Sequence, residues 1–316
     1  MVLTAVDRGN DINDTLTSTN KTIVLAGATG DLGFRIAQHV RQRGAIVKAL
    51  IRKGSSSLKV ASLRNLGATI VEVDFTNISE LAQACLGGSC VVSAVSGLRD
   101  VIVETQTSLL QAAVEVGVPR FIPSDYSIDY TKLPRGANRN LDLRREFQER
   151  LDQAPIAATS IFNGMFMDLL TGQAPVILFG LKRVVYWGDA DQPLDFTTVD
   201  NTAAYTATAA LDPSTPRFLR VAGEVASIRG LQRAASEATG TPFNLLRAGG
   251  LGVLSTLIKV TRTLFPQKDE VFPAWQGMQY LHNMFTGLPK LTPLDNNRYP
   301  DLQWTTVRDV LAKRPS

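Results

Sequence analysis

A short apolar run at residues 22–26 empties directly into Gly27-Ala28-Thr29-Gly30-Asp31-Leu32-Gly33, and an amphipathic helical pattern begins immediately behind it. Few folds use three glycines at that spacing between a strand and a helix. Gly27 permits a tight turn, Gly30 lets the backbone approach a ligand without a Cβ in the way, and Gly33 lets the helix pack closely on the strand. The helix start then offers unpaired N–H groups and about half a positive charge to an anion. Gly27, Thr29, Gly30, Asp31, Leu32 and Gly33 are therefore read as a cradle for a diphosphate. Asp31 sits awkwardly beside phosphate, and capping the helix is the other role open to it.

Beyond the loop the same strand-then-helix unit recurs. Strand patterns at 22–26, 46–51, 69–73, 90–95, 121–122 and 157–161 alternate with helical patterns at 32–43, 57–66, 78–85, 101–116 and 140–153. The strands are continuous Val, Ile and Ala runs, as expected for parallel strands buried on both faces. This predicts an α/β fold: a doubly wound parallel (Rossmann) sheet with right-handed crossovers. After residue 162 the alternation loosens into strands at 184–187 and 218–221 and a helix at 228–239, and the remainder reads as mostly helical. The expected organisation has three parts. Residues 1–20, rich in Asp, Asn, Thr and Ser, form a disordered leader; 21–165 form the dinucleotide-binding domain; 166–316 form a smaller, mostly helical substrate lobe. A segment near 216–240 is open to a return into the main sheet.

Composition removes several classes. The net charge is +4 over 316 residues, and no basic stretch is interleaved with aromatics, so no nucleic-acid surface is expected. Apolar runs fall short of the roughly eighteen residues a spanning helix needs, and no basic-then-apolar leader is seen. A cytoplasmic protein without membrane contact is expected. Cys85 and Cys90 lack ligand spacing and, with His39 and His282 the only histidines, no metal site is expected.

The second strand speaks to the cofactor. Sites that prefer NAD usually end this strand in an acid that bonds the ribose 2′-hydroxyl. Here it ends Leu50-Ile51-Arg52-Lys53-Gly54, with three serines next in the chain. Arg52 and Lys53 suit a 2′-phosphate and point to NADP(H); a solvated basic turn is the alternative. Asp74 and Phe75 close the third strand, where the acid can bond the adenine amine or cap a helix.

Ligands of open parallel sheets lie outside the carboxyl ends of the strands. Three segments meet that condition: Ala94-Val95-Ser96-Gly97, Pro123-Ser124-Asp125-Tyr126 and Asn163-Gly164-Met165-Phe166. Val95, Ser96, Gly97, Ser124 and Asn163 are assigned to the cofactor. The Tyr-x-x-x-Lys pair of ordinary short-chain dehydrogenases occurs at none of the tyrosines. The helix from residue 140 instead puts Arg144 on one stripe with Phe147 and Leu151. A guanidinium on an inward stripe needs an anion or a carbonyl to offset its desolvation. Otherwise it must snorkel off the stripe's edge.

Taken together, Gly27-Ala28-Thr29-Gly30, Arg52, Pro123-Ser124-Asp125-Tyr126 and Asn163-Gly164-Met165-Phe166 resemble the NmrA-like branch of atypical short-chain dehydrogenases. That branch includes isoflavone-reductase-like and pinoresinol-reductase-like enzymes. Phe196-Thr197-Thr198-Val199-Asp200-Asn201-Thr202-Ala203 is similar to its strand-then-Asp-x-x-Ala segment, and the resemblance runs from about 21 to 311. It implies a Rossmann domain, a small C-terminal substrate lobe and NADP(H). The resemblance also implies a lysine on the helix after the fifth strand, and Arg144 stands in its place. A guanidinium stays protonated and is no working general acid near neutrality, though it can stabilise developing negative charge. The proton would come from Tyr126, Tyr130 or water.

Two functions fit these residues. In the first, an NADPH-dependent reductase passes hydride to a polarised apolar or aromatic small molecule: a carbonyl, enone, imine or quinone. Arg144 holds the developing charge, and Met165, Phe166, Trp275, Met278 and Tyr280 wall the pocket, ordinary helix packing being the alternative for the last three. In the second, a non-catalytic NADP(H)-sensing regulator uses the same cleft to choose a protein partner. Redox-neutral epimerisation is a third class, and the C-terminal helices leave room for a homodimer face.

Overall fold

Alternate residues of the strand at Thr22–Ala26 pack into two different cores, Ile23 and Leu25 into one, Val24 and Ala26 into the other. A strand buried on both faces needs helices above and below it, and the structure supplies them. It is a computed structural model that describes residues 21–314, so the leader expected at 1–20 lies outside the described residues. Thr22–Ala26 (β1), Ile46–Arg52 (β2), Thr69–Val73 (β3), Cys90–Ser93 (β4), Arg120–Ile122 (β5) and Ala157–Ala158 (β6) form one parallel sheet. Its order is β3-β2-β1-β4-β5-β6. The order reverses at β1 and β4, and the crevice at their carboxyl ends is where a ligand belongs.

Asp31–Gln42 (α1) and Ser57–Asn65 (α2) cover one face through Ile36, Val40, Val60 and Leu63. Ile78–Cys85 (α3), Gln106–Glu115 (α4) and Arg139–Leu151 (α5) cover the other through Leu81, Leu109, Phe147 and Leu151. The helix expected from residue 101 opens as a wider π-helical turn at Asp100–Thr105 before α4. Cys85 and Cys90 are buried, and burial pushes their thiols up to about 11 and about 12.

The strand expected at 157–161 is divided at Thr159. Past β6 the chain continues as Ser160–Phe162 (β7), which pairs in parallel with a later strand, Phe218–Arg220. The helix Val199–Leu211 (α6) packs on the same face as α1, where Ala203, Tyr205 and Ala207 join the core around Ile23. The half that holds the parallel sheet thus draws on residues well beyond 165.

The C-terminal part is helical, with Ile228–Thr239 (α7), Leu251–Leu264 (α8), Ala274–Phe285 (α9) and Val307–Ala312 (α10). Beside the helices stand two three-stranded sheets, in which the strand expected at 184–187 is found as Arg183–Trp187; most of the others run only two to four residues and leave little sequence pattern. One joins Met165–Phe166 to Leu194–Thr197 and Glu224–Ala226; the other joins Ile177–Leu178 to Arg183–Trp187 and Asn244–Gly249. This part has its own core, in which Tyr130, Phe162, Met167, Phe196 and Leu254 are buried. Among the described residues no helix is long and apolar enough to cross a membrane, and no three His, Cys, Asp or Glu side chains gather as metal ligands.

Candidate cofactor and active site

The glycine loop is built as tightly as its spacing requires. Gly27 adopts φ +83°, and a Cβ there would stand 2.4 Å from the Ala94 carbonyl oxygen at the end of β4. At Gly33 a Cβ would meet the Gly27 oxygen at 2.2 Å, so α1 can seat against the loop only through glycine. The Gly30 amide closes the turn on the Gly27 carbonyl at 2.9 Å. Gly30 is also the N-cap, and no side chain caps the helix. The first-turn amides of residues 31–33 therefore stay open toward the crevice. Asp31 is not the cap its sequence position allowed. It lies inside the first turn and pairs with Arg35 at 2.9 Å, directed along the helix surface.

At the end of β2 the two cations part company. Arg52 is exposed and has no acidic partner among the described residues. Lys53 is tied to Glu80 at 3.2 Å, and the same carboxylate accepts the Asp74 amide at 2.9 Å. Asp74 spends one oxygen on the Thr76 amide and hydroxyl, at 2.9 and 2.7 Å, which holds its carboxyl below the ordinary range. It does not cap α3, because Asn77 does so by accepting the Glu80 amide at 3.2 Å. Phe75 lies half-buried beside it, against the core of that face.

Three further strand ends line the crevice. Val95, Ser96 and Gly97 leave β4 at half-buried or exposed positions. Ser124, after β5, donates its hydroxyl to the Val95 carbonyl at 2.6 Å and so stitches two of these ends together. Asn163, after β7, is fully buried, yet neither its amide nitrogen nor its amide oxygen has a hydrogen-bond partner among the described residues. A buried amide with both side-chain atoms unpaired is costly. The uncapped glycine cradle and the unpartnered Arg52 are what make the crevice fit a phosphorylated dinucleotide.

Arg144 faces inward, 8% exposed, and does not snorkel. Its Nε donates to the Ser124 carbonyl and one terminal nitrogen to the Asn140 carbonyl, both at 3.1 Å. The other terminal nitrogen has no protein partner among the described residues. The desolvation of this cation is thus offset by two carbonyls rather than by a carboxylate pair.

Neither tyrosine expected to donate a proton is in the crevice. Tyr126 turns into the core on the α1 and α6 face, its hydroxyl toward Thr206, and burial raises its phenol. Tyr130 is sealed in the core of the C-terminal part and donates to Asp125 Oδ2 at 2.9 Å. Burial, then the Asp125 charge, lifts it far above the ordinary phenol range. The Ser160 hydroxyl donates to the same oxygen at 2.6 Å and accepts from Arg217 at 2.7 Å. Burial raises the Asp125 carboxyl despite these bonds and the nearby Arg144 charge. Asp125 stands inside the Pro123-Ser124-Asp125-Tyr126 segment, but nothing in the sequence tells that its partners, Ser160 and Arg217, are brought to it.

Of the expected substrate wall, Met165 and Phe166 are half-buried beside the Asn163 turn. Trp275 is not a wall residue. It is 2% exposed, with Arg139 and Arg262 stacked at 4.7 and 5.1 Å from its ring centre and its indole N–H on the Pro266 carbonyl. Met278 and Tyr280 are half-buried on α9. The residues missed in sequence are the polar ones of that helix. Gln276 donates to Asn138 at 2.6 Å, Gln279 accepts from the Arg139 amide at 3.3 Å, and Asn283 accepts from Asn138 at 3.3 Å. Their signal was legible as a polar i, i+3, i+7 stripe on an otherwise apolar helix.

Comparison with known proteins gives a family and a fold. The model of the NmrA-like family matches residues 19–287. Pinoresinol reductase 1 of Arabidopsis thaliana is 33% identical over 213 residues, a stretch that covers 62% of this chain and 67% of that protein. The bifunctional pinoresinol-lariciresinol reductase of Linum album is 25% identical over 323 residues, 95% of this chain and 96% of that protein. Among solved structures, AtPrR2 with NADP+ and (+)pinoresinol superposes with a TM-score of 0.78 at 22% identity, covering 93% of this chain and 98% of that one. The leucoanthocyanidin reductase–NADPH complex of Vitis vinifera gives 0.79 at 17%, covering 93% and 99%. At those identities the structures speak to the fold alone.

Proposed function

The chain belongs to the NmrA-like family, and from that premise we propose that it is an NADP-dependent reductase of a small aromatic or otherwise apolar molecule. The observation that carries this reading is Arg144: a buried guanidinium at the carboxyl end of β5 with two of its nitrogens anchored on carbonyls and the third uncommitted. Relatives named as reductases of pinoresinol, over as much as 96% of their length, support the reaction class.

The open amides of residues 31–33 hold the diphosphate, and Arg52 meets the 2′-phosphate while Lys53 stays on Glu80. Asn163 offers the nicotinamide end a donor and an acceptor. When bound, the cofactor supplies hydride to a polarised substrate carbon. Arg144 stabilises the negative charge that builds on the neighbouring oxygen, a preformed cation in a site with little water. Met165, Phe166 and Met278 offer apolar surface to the rest of the molecule.

The competing reading, a cofactor-sensing regulator, draws on the burial of Tyr126 and Tyr130, which removes both expected proton donors from the crevice. Incubation with 4-deuterated NADPH and a panel of carbonyls, enones, quinones and pinoresinol separates the two. Deuterium in a product, lost in Arg144→Ala, is the expected result. Tight NADPH binding with no transfer across the panel would establish the regulator instead.

A further inference from the structure

Helix α8, Leu251–Leu264, is apolar on two opposite sides, and only one of them is packed. The inner side carries Leu251, Leu254, Ser255, Ile258 and Arg262, at i, i+3, i+4, i+7 and i+11. Leu254 is buried there, and Leu251 and Ile258 lie against the core of the C-terminal part. Ser255 meets His282 at 2.9 Å and Arg262 stands 5.1 Å from the Trp275 ring centre, so α8 and α9 run antiparallel. About half a turn round the helix stand Val253, Leu257, Val260 and Leu264. None of the four is less than 40% exposed. Phe265 and Phe272, in the connection to α9, are exposed at the Leu264 end. A helix that is apolar all round belongs between two partners, and among the described residues α8 has one.

We propose that the second partner is α8 of another copy of this chain, the two helices meeting antiparallel about a two-fold axis that crosses the middle of the seam.

Spacing selects a helix as the occupant. Steps of four, three and four residues separate 253, 257, 260 and 264, the repeat by which one helix seats its side chains between those of another. The order of the seam then selects a second copy. Residues 253 and 264 lie equally far from its centre, as do 257 and 260. Antiparallel pairing therefore sets Leu257 against Val260 of the other copy and Val253 against its Leu264, a valine facing a leucine at every contact. The same register brings Phe265 level with Gly252 of the other copy, where nothing stands within 4 Å of a Cβ position.

Charge agrees. The positions flanking the seam are Leu254, Thr256, Thr261 and Thr263, so a two-fold pairing brings no like charges together. Arg262 is turned in to Trp275, which leaves Lys259 as the one outward cation of α8. A helix lying on an anionic membrane surface is instead rich in Lys and Arg on its polar face. The six exposed side chains together present several hundred Å2, a patch that monomers rarely leave open and of the order of the ~800 Å2 per partner found in a stable pair.

Sedimentation velocity of the full-length protein between about 1 and 100 µM is the test. The wild type should run at twice the chain mass over the upper part of that range. Leu257→Glu and Val260→Lys each set a lone charge against an apolar side chain of the other copy, and each should weaken the pair at least tenfold. Both positions are exposed in the single chain, so far-UV circular dichroism should be unchanged. Because 257 faces 260 across the axis, mixing equal amounts of the two substituted proteins should restore a mixed dimer. A wild type at single-chain mass at about 100 µM would overturn the proposal, as would dimers that survive both substitutions. A mixture that stays monomeric would overturn the pairing of Leu257 with Val260, and the two-fold arrangement with it. A wild type that sediments as a monomer but floats with phosphatidylcholine–phosphatidylserine vesicles would give the face to lipid instead.

Discussion

The Nε of Arg144 donates to the Ser124 carbonyl 3.1 Å away, which fixes a helix side chain to the carboxyl end of β5. Because Ser124 is itself bonded to the Val95 carbonyl at 2.6 Å, the cation is held in register with two strand ends of the crevice. Arg144→Met removes the charge and leaves the Ser124 and Asn140 carbonyls without their donor. It should lower kcat for whichever panel compound accepts hydride by about 10²–10³, the usual cost of losing one preorganised oxyanion donor. Arg144→Lys keeps a point charge without the fork and should retain more activity than Met. Stopped-flow NADPH oxidation measures both; equal rates in all three proteins would remove Arg144 from the chemistry.

Arg52 and Lys53 are neighbours with different duties. Arg52→Ala should weaken NADPH binding by about 2 kcal/mol and leave NADH unchanged, as expected for a charge-assisted contact to a 2′-phosphate. Lys53→Ala should cost much less, because its ammonium is already on Glu80 at the surface. Calorimetry with both cofactors decides; equal losses for NADPH and NADH at Arg52 would place it elsewhere.

Gly33 tests the loop as a piece of packing. A methyl group there meets a backbone oxygen at 2.2 Å, which no rotamer can relieve. Gly33→Ala should destabilise the fold by about 1–3 kcal/mol, the range of overpacked sites. Dinucleotide affinity should fall with it, since α1 must back away from its cradle. Urea unfolding and calorimetry on the same preparation are the measurements, and an unchanged midpoint would mean the helix sits loosely on the loop.

The buried Asp125 carboxyl should leave a mark on the pH dependence of stability. Its folded-state value is raised above the ordinary 3.8, so the ionised form disfavours the fold. This group's contribution is therefore fully present below about 3.8 and is lost as pH rises through the folded value. Asp125→Asn keeps an acceptor for Tyr130 and Ser160 but cannot ionise. The stability of the variant relative to wild type should rise between pH 4 and pH 8. Urea midpoints that differ by a constant amount across that range would mean that burial does not raise this carboxyl.

The βα alternation was legible because each of its signals is local. Glycine spacing, Val-rich runs and a 3.6-residue period are all read within a dozen residues. The cradle residues and Arg52 could be placed for the same reason, as could Arg144, whose stripe with Phe147 and Leu151 is a matter of helical spacing. What escaped depends on distant partners. Thr159 divides a strand only because 218–220 arrives beside its far half. Tyr126 and Tyr130 sit where a donor would be wanted, yet tertiary packing turns one into the α6 face and the other onto Asp125. Trp275 reads as a pocket aromatic until Arg139 and Arg262, far apart in the chain, stack on its ring.

The return of Phe218–Arg220 to the edge at β7, with α6 laid against α1, bears on how the molecule comes apart. A fragment ending near residue 165 would bare the apolar surface that Ala203, Tyr205 and Ala207 now cover, and it would present an open, aggregation-prone margin where the later strand belongs. The chain should therefore melt in one cooperative transition instead of shedding its second half first.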